Sequence, residues 1–151
     1  MARLTFPSST VMTRMRRATL VLALIGTGIA GYLTWVHYGH LKIVCLSGGG
    51  GCEKVQASSY AELAGIPVAV LGLVGYLLIL ASLALPEGDG AVAAAFLSLV
   101  GFGFSMYLTW AELFRIHAIC QWCVASAVLM TAIAGLAVAR LLVTEDQEAY
   151  A

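Results

Sequence analysis

Four cysteines are the residues of this sequence whose type and spacing are suited to chemistry. Cys45 and Cys52 lie in a glycine-rich stretch with six residues between them, and Cys120 and Cys123 form a C-x-x-C motif. Glycine adopts unusual backbone angles at little cost, so the stretch between Cys45 and Cys52 can bring two sulfurs together. A C-x-x-C at the start of a helix favours thiolate, the form that attacks disulfides, because the helix N-terminus is partially positive. Two such pairs indicate thiol–disulfide exchange.

Three alternative interpretations apply to the same cysteines. Buried cysteines are often small apolar packing residues, and Cys45 with Cys52 could form a purely structural staple. Four cysteines also suffice by number for a zinc site. However, Cys120 and Cys123 open an apolar helical stretch rather than a zinc ribbon. We therefore favour redox chemistry and predict no metal.

The remainder of the sequence predicts that a membrane protein carries these pairs. Of the 151 residues, 61% are apolar and 11% are charged, whereas soluble domains carry about 25% charged residues. Four stretches without Asp, Glu, Lys or Arg approach or exceed the roughly 20 residues that a spanning helix needs, and lipid favours helix in such stretches. They are residues 18–38, 66–85, 91–111 and 116–139. We predict an all-α integral membrane protein with a four-helix transmembrane bundle.

The distribution of basic residues predicts the orientation of this bundle. Five basic residues flank one side of the predicted membrane and three flank the other: Arg3, Arg14, Arg16, Arg17 and Arg140 against Lys42, Lys54 and Arg115. Because cytoplasmic flanks carry the excess of Lys and Arg, the tails 1–17 and 140–151 are predicted in the cytoplasm. The outer loop, residues 39–65, and all four cysteines then face the oxidising side, where disulfides persist.

The outer loop is also predicted to contain a short helix. Ser59 with Glu62 three residues later is a capping-box pattern, so a helix is expected over part of residues 53–64. Such a helix would cap the extracytoplasmic end of the bundle.

The placement of the two pairs predicts a direction of electron flow. A soluble protein can reach a pair in the outer loop, whereas the C-x-x-C lies at the membrane boundary. Thiol–disulfide exchange would then bring electrons to the membrane, where a quinone is a suitable lipid-soluble acceptor. No predicted span holds an acidic or basic residue mid-membrane, which argues against an ion pump. The formal net charge of zero gives no support to nucleic-acid binding.

Together these residues resemble the vitamin K epoxide reductase (VKOR) family in its bacterial form. The resemblance runs from about residue 18 to 139, a VKOR-like membrane domain, and rests on both cysteine pairs in register with a serine. The further matching residues are Ser58, Tyr60-Ala61-Glu62, Gly65-Ile66-Pro67-Val68-Ala69, Gly72, Tyr76 and Gln121-Trp122.

The resemblance implies a role for each site residue. Cys120 and Cys123 resemble the active-site pair, with Cys123 approaching a quinone of the ubiquinone or menaquinone type. Cys45 and Cys52 resemble a shuttle pair, in which Cys45 meets the protein partner and Cys52 exchanges with Cys120. Ser58 resembles the active-site serine near the quinone head group, the alternative being a turn or capping hydroxyl.

The resemblance also implies an activity and a location. The expected protein is an enzyme, a quinone-dependent thiol–disulfide oxidoreductase of the bacterial inner (plasma) membrane. It would reoxidise a DsbA-like or thioredoxin-like extracytoplasmic partner and so support disulfide bond formation. Ala127 and Val68 stand where vertebrate members carry a tyrosine and an asparagine, so quinone reduction is expected rather than reduction of vitamin K epoxide.

Two rival functions were weighed against this one. Quinone reductases of the DsbB type carry the C-x-x-C in the first outer loop and the wider pair in the second, and this sequence has the reverse order. A non-enzymatic membrane subunit, whose cysteines only staple the outer loop, is the rival of a different class. A thiol count under mild dithiol would separate it from a shuttle, because a staple stays oxidised.

Overall fold

A computed structural model describes residues 9–46 and 48–149, and most of these residues are helical. The five α-helices are α1 (Ser9–Tyr38), α2 (Gly51–Gln56), α3 (Val68–Ser82), α4 (Glu87–Ala111) and α5 (Gln121–Ala149). A 3-10 turn at Ser59–Ala61 follows α2, and a π-helical turn at Glu112–Ile116 continues α4. Arg3, one of the residues used to predict orientation, lies outside the described residues.

Three of the helices are long and apolar enough to cross a membrane. These segments are Ser9–Tyr38, Glu87–Ile116 and Gln121–Gln147. The second predicted span, a helix over 66–85, is shorter than expected, since α3 has 15 residues. At 1.5 Å per residue it is about 22 Å long, against about 30 Å of hydrocarbon. The prediction of a helical fold suited to a membrane is therefore confirmed, and the fourth spanning helix stays a prediction.

A short hairpin explains why α3 begins after residue 66. The strands β1 (Glu62–Leu63) and β2 (Ile66–Pro67) pair in antiparallel fashion. The two residues that join them, Ala64 and Gly65, have φ of 53° and 80°, as the tight turns of two-residue hairpins require. Pro67 then occupies the N-cap of α3, where its missing N–H removes no helical hydrogen bond.

Close approaches between the long helices form the centre of the molecule. Tyr76 of α3 is fully buried, and its ring lies where a side chain at Gly26 of α1 would be. The Tyr76 hydroxyl pairs with the hydroxyl and carbonyl of Ser126, at 2.9 and 3.0 Å. A Cβ at Gly101 of α4 would lie 2.8 Å from the sulfur of Met130 in α5. Small residues thus let the helices pack closely, as in membrane bundles generally.

A cluster of charges joins three helices at the end of the molecule away from the cysteines. Arg140 of α5 is 2% exposed and donates to Glu87 of α4 at 2.7 Å. Arg16 of α1 lies 3.8 Å from the same carboxylate and donates to the Leu83 carbonyl at 2.6 Å. We call Arg16, Glu87 and Arg140 the charge cluster; it fixes the beginning of α1 and the latter part of α5 at the same end.

Candidate active site

The structure joins Cys45 and Cys52 in a disulfide, which we call the loop pair. Their Cα atoms are 6.2 Å apart. Gly48 and Gly50, with φ of 66° and 40°, turn the chain between them, which is the conformational freedom that the sequence indicated. Cys52 lies in the first turn of α2 and is fully buried, whereas Cys45 is half-buried.

The C-x-x-C pair consists of two free thiols at the start of α5. Cys120 directly precedes the helix and is fully buried, and Cys123 lies half-buried in its first turn. The helix begins at Gln121, five residues later than the predicted span 116–139. The delay arises because His117, which directly follows the π-helical turn, has a φ of 52° that breaks the helical path. Cys120 therefore lies at a helix N-terminus.

Both cysteine pairs share one buried cluster. Cys52 and Cys120 belong to its core, and Cys45 and Cys123 pack against it. The remaining core members are apolar side chains from α1, the loop and the π-helical turn: Leu33, Val36, Ile43, Val55 and Ile116. A Cβ at Gly51 would lie 2.7 Å from the Ile119 carbonyl oxygen, so the start of α2 packs directly on the backbone that leads into the C-x-x-C.

The two middle residues of the C-x-x-C hold the backbone on either side of Cys45. The Gln121 side-chain carbonyl accepts a hydrogen bond from the Leu46 amide at 3.1 Å. The Trp122 indole N–H donates to the Val44 carbonyl at 2.8 Å. We call these two hydrogen bonds the latch, because they fasten the segment that carries Cys45 to the start of α5.

Tyr32 of α1 supports the latch from a third side. Its hydroxyl accepts a hydrogen bond from the Val44 amide at 3.2 Å, and its ring centroid lies 5.2 Å from that of Trp122. The extended segment before the disulfide is thus held between α1 and α5.

Glu112 is a site residue that the sequence analysis did not identify. It lies in the π-helical turn, is 4% exposed, and its Oε2 accepts a hydrogen bond from the Cys120 amide at 3.1 Å. Its carboxylate also hydrogen-bonds the Cys123 thiol. The signal in the sequence was an acidic residue eight positions before the C-x-x-C in a largely apolar stretch; it was assigned to an interfacial corner.

The surroundings of Cys120 favour its thiolate. A hydrogen bond from the Cys123 side chain lowers the pKa of the Cys120 thiol to about 7, and backbone amides of Cys123 and Trp122 act in the same direction. Burial and the negative charge of Glu112 act against them and raise this pKa. A lowered pKa makes the thiolate of Cys120 more accessible at neutral pH, which suits a thiol that must attack a disulfide.

A cavity of about 430 Å³ lies beside the C-x-x-C pair. Its wall is mostly apolar and includes residues from four helices and the loop, among them Leu33, Val55, Tyr60, Leu108, Ile116 and Ala127. Cys123 and Glu112 also belong to this wall. Its volume and its mostly apolar wall match those of small-molecule sites.

Ser58 lies in the sequence between residues that line this cavity, but it is not one of the lining residues. Gln56, Tyr60 and Ala61 line the cavity, whereas the half-buried Ser58 donates its hydroxyl to the Val55 carbonyl at 2.6 Å. This hydrogen bond is the one expected of a turn hydroxyl. A contact between Ser58 and a quinone head group stays a prediction.

A zinc site built from all four cysteines does not fit this structure. Cys45 and Cys52 are bonded to each other, so only two free thiols are left. Across residues 9–46 and 48–149, no group of three or more His, Cys, Asp or Glu side chains is arranged to hold a metal ion.

The family model described as "Vitamin K epoxide reductase family" matches residues 17–138. The match covers most of the chain, including both cysteine pairs, Glu112 and the cavity. The chain therefore belongs to the vitamin K epoxide reductase family, and its candidate membrane spans and cysteine pairs suit a membrane thiol–disulfide oxidoreductase.

Proposed function

We propose that this family member oxidises a DsbA-like or thioredoxin-like protein outside the bacterial cytoplasm and delivers the electrons to a membrane quinone of the ubiquinone or menaquinone type. One observation carries the proposal. An oxidised loop pair and a reduced C-x-x-C pair share a single buried cluster, and the C-x-x-C pair borders an apolar cavity. The net result of the reaction would be disulfide bond formation in secreted proteins.

The first exchange would occur at Cys45. Cys45 is half-buried and Cys52 is fully buried, so a thiolate of the partner protein reaches the Cys45 sulfur more easily. Attack there forms a mixed disulfide with the partner and releases Cys52 as the thiolate. A second thiol of the partner then displaces Cys45, which leaves an oxidised partner and a reduced loop pair.

The second exchange would transfer the electrons within the chain. Cys52 attacks the oxidised C-x-x-C pair at Cys120, forms a Cys52–Cys120 bond and releases Cys123. Cys45 then attacks Cys52, which restores the loop disulfide and leaves Cys120 and Cys123 as thiols.

The last step would occur at the cavity. A bound quinone would supply a two-electron, two-proton acceptor. Cys123 would face it from the cavity wall, and Ser58 is proposed near its head group. The wall beside the reacting thiol is mostly apolar, and the thiolate character of Cys120 favours closure of the Cys120–Cys123 bond.

We further propose a four-helix transmembrane bundle capped by α2 and the 3-10 turn, with spans near 18–38, 66–85, 91–111 and 116–139 and the outer loop 39–65. The start of α3 packs on the cysteine cluster through Ala69, and Leu83 just beyond its end contacts Arg16. The short α3 therefore joins the two ends of the molecule, which supports its crossing the membrane.

Tails 1–17 and 140–151 would be cytoplasmic. A reporter fused after Ala151 should then read as cytoplasmic; an extracytoplasmic signal would contradict four spans.

The function is tested with the purified chain in lipid nanodiscs, without oxygen, given a reduced DsbA-like protein and a short-chain ubiquinone or menaquinone. We expect one quinol to form for each partner disulfide, and no quinol with Cys120→Ala. Partner oxidation without consumption of quinone would contradict the proposal. A loop pair that stays oxidised throughout would favour the structural staple.

A further inference from the structure

Glu112 is a buried acid that takes no part in the exchange reactions described above. Its side chain is enclosed at 4% exposure, and its hydrogen-bond partners are the Cys120 amide at 3.1 Å and the Cys123 thiol. Among the described residues, the ion pairs found involve Glu87 and Glu62, and none involves Glu112. Burying an ionised carboxylate without a cation is unfavourable, so packing alone gives this position no reason to be acidic.

The location of Glu112 relates it to one particular reaction step. Its carboxylate belongs to the wall of the cavity together with Cys123 and hydrogen-bonds the Cys123 thiol. Other polar groups are less suited. The Tyr76 hydroxyl pairs with Ser126, and His117 is exposed. Glu112 therefore places a carboxylate against both the reacting thiol and the space beside it.

We propose that Glu112 is the catalytic base that accepts the Cys123 proton when the C-x-x-C pair is oxidised, and the acid that passes this proton into the cavity. The inference rests on the proposed function. Oxidation forms one Cys120–Cys123 bond and releases two electrons and two protons in total. An acceptor of the quinone class takes both electrons and both protons. Glu112 carries the proton from the Cys123 sulfur and returns to the carboxylate when it is passed on.

The substitution Glu112→Gln separates proton transfer from positioning. The glutamine side chain keeps a carbonyl oxygen that can accept the Cys120 amide hydrogen bond, but it cannot take a proton. We expect quinone reduction by a small dithiol to slow at least about 100-fold, since general acid–base catalysis contributes about 10²–10⁴-fold. Glu112→Asp keeps a carboxylate and should recover part of the rate. Glu53→Gln, on the exposed side of α2, is the matched control and should leave the rate unchanged.

A second measurement does not depend on quinone. The charge of Glu112 raises the pKa of the Cys120 thiol, so Glu112→Gln should lower that pKa. Alkylation of Cys120 at about pH 6 should then become faster than in the unsubstituted chain. The pH profile of alkylation separates this effect from loss of local structure. A lowered pKa moves the profile to lower pH, whereas exposure of the buried Cys120 raises the rate at every pH.

The possible outcomes separate this inference from the function it rests on. If the unsubstituted chain reduces no quinone, the proposed function fails and the role of Glu112 fails with it. If that chain is active and Glu112→Gln stays within about threefold of its rate, only the role of Glu112 is overturned. Slower Cys120 alkylation in Glu112→Gln would also overturn it, because the carboxylate would then serve to shape the site. If Glu112→Gln does not fold, the rate of folded Glu112→Asp decides. An intermediate rate supports the proposal. A rate equal to that of the unsubstituted chain, or a complete loss of quinone reduction, overturns it.

Discussion

The two ends of the molecule each contain a buried charged side chain, and the two side chains have different neighbours. At the charge cluster, Arg140 is 2% exposed and lies 2.7 Å from the carboxylate of Glu87. At the cysteine end, Glu112 is 4% exposed and is bonded to an amide and a thiol. Opposite charge compensates the first group, whereas neutral donors alone compensate the second.

This difference indicates different uses of the two ends. A compensated ion pair fixes helices with respect to each other, and it changes little while the protein functions. An acid held by neutral donors next to a reactive thiol can change its protonation state during a reaction, and such groups cluster at functional sites. Substitutions at the cysteine end should therefore change electron transfer, and substitutions at the charge cluster should change stability.

The largest expected effect is that of Cys123→Ala. Quinone reduction should fall by more than about 1,000-fold with either a protein or a small dithiol as donor, because the reacting thiol itself is missing. Cys45→Ala should lose only the reaction with the protein partner, since a small dithiol can reach the C-x-x-C pair directly. Anaerobic stopped-flow measurement of quinone absorbance gives both rates. Equal loss of both reactions in Cys45→Ala would mean that the pairs do not act in series.

The same Cys123→Ala variant should also accumulate a bond between Cys52 and Cys120. In this variant the Cys120 thiolate can attack the Cys52 sulfur of the loop disulfide, which forms the Cys52–Cys120 bond and releases Cys45. Cys123 is absent and cannot attack that bond from the Cys120 side. Digestion under non-reducing conditions and mass spectrometry should find a peptide of the outer loop joined to the start of α5. An intact loop pair with a free Cys120 thiol, after incubation with reduced partner, would refute the relay.

A second prediction concerns the pH dependence of Cys120. Its pKa of about 7 implies that alkylation accelerates about tenfold per pH unit below that value and levels off above it. Because the Cys123 hydrogen bond is the largest cause of the lowered pKa, Cys123→Ala should shift the profile to higher pH. Cleavage after Trp122 separates the two cysteines for mass spectrometry. An unchanged profile would show that the hydrogen bond does not stabilise the thiolate.

The sequence could predict the helical membrane fold and the chemistry of the cysteines, because both are local properties. Apolar stretches determine helices in lipid, and the spacing of Cys45 and Cys52 with glycines between them permits a disulfide. Elements that depend on unusual backbone angles were not predicted. Ala64 and His117, with φ of 53° and 52°, delay the starts of α3 and α5, and neither residue type indicates such a conformation.

Contacts between distant parts of the chain were also beyond the sequence analysis. The latch joins Trp122 to Val44 and Gln121 to Leu46, so the donors and acceptors are more than 70 positions apart. The burial of Glu112 likewise depends on how the π-helical turn packs on the loop. In both cases the sequence revealed the residue types, and only the folded chain revealed their partners.

The latch predicts an effect of intermediate size. Trp122→Phe keeps an aromatic ring beside Tyr32 but removes the hydrogen bond to the Val44 carbonyl. Since such a bond contributes about 1 kcal/mol, oxidation of the protein partner should slow about fivefold. Reduction of quinone by a small dithiol should not change. Trp35→Phe, the same substitution at a side chain that is 64% exposed, is the control, and equal effects of the two would show that the latch does not position the loop pair.

The smallest effect on electron transfer is expected at the charge cluster. Arg140→Leu removes the 2.7 Å contact with Glu87, and the leucine side chain is compatible with an apolar helix such as α5. A hydrogen bond between charged groups contributes about 1.5–3 kcal/mol, and the half-exposed Glu87 carboxylate regains water, so the free energy of unfolding should fall by about 1–2 kcal/mol. Thermal unfolding in detergent measures this loss, with Arg17→Leu at an exposed position as the charge-matched control.

Quinone reduction per folded molecule of Arg140→Leu should stay within about twofold, because Arg140 lies at the opposite end from the cysteines. A large loss of quinone reduction with unchanged thermal stability would mean that the two ends are coupled, and the assignment of stability to one end and electron transfer to the other would be wrong.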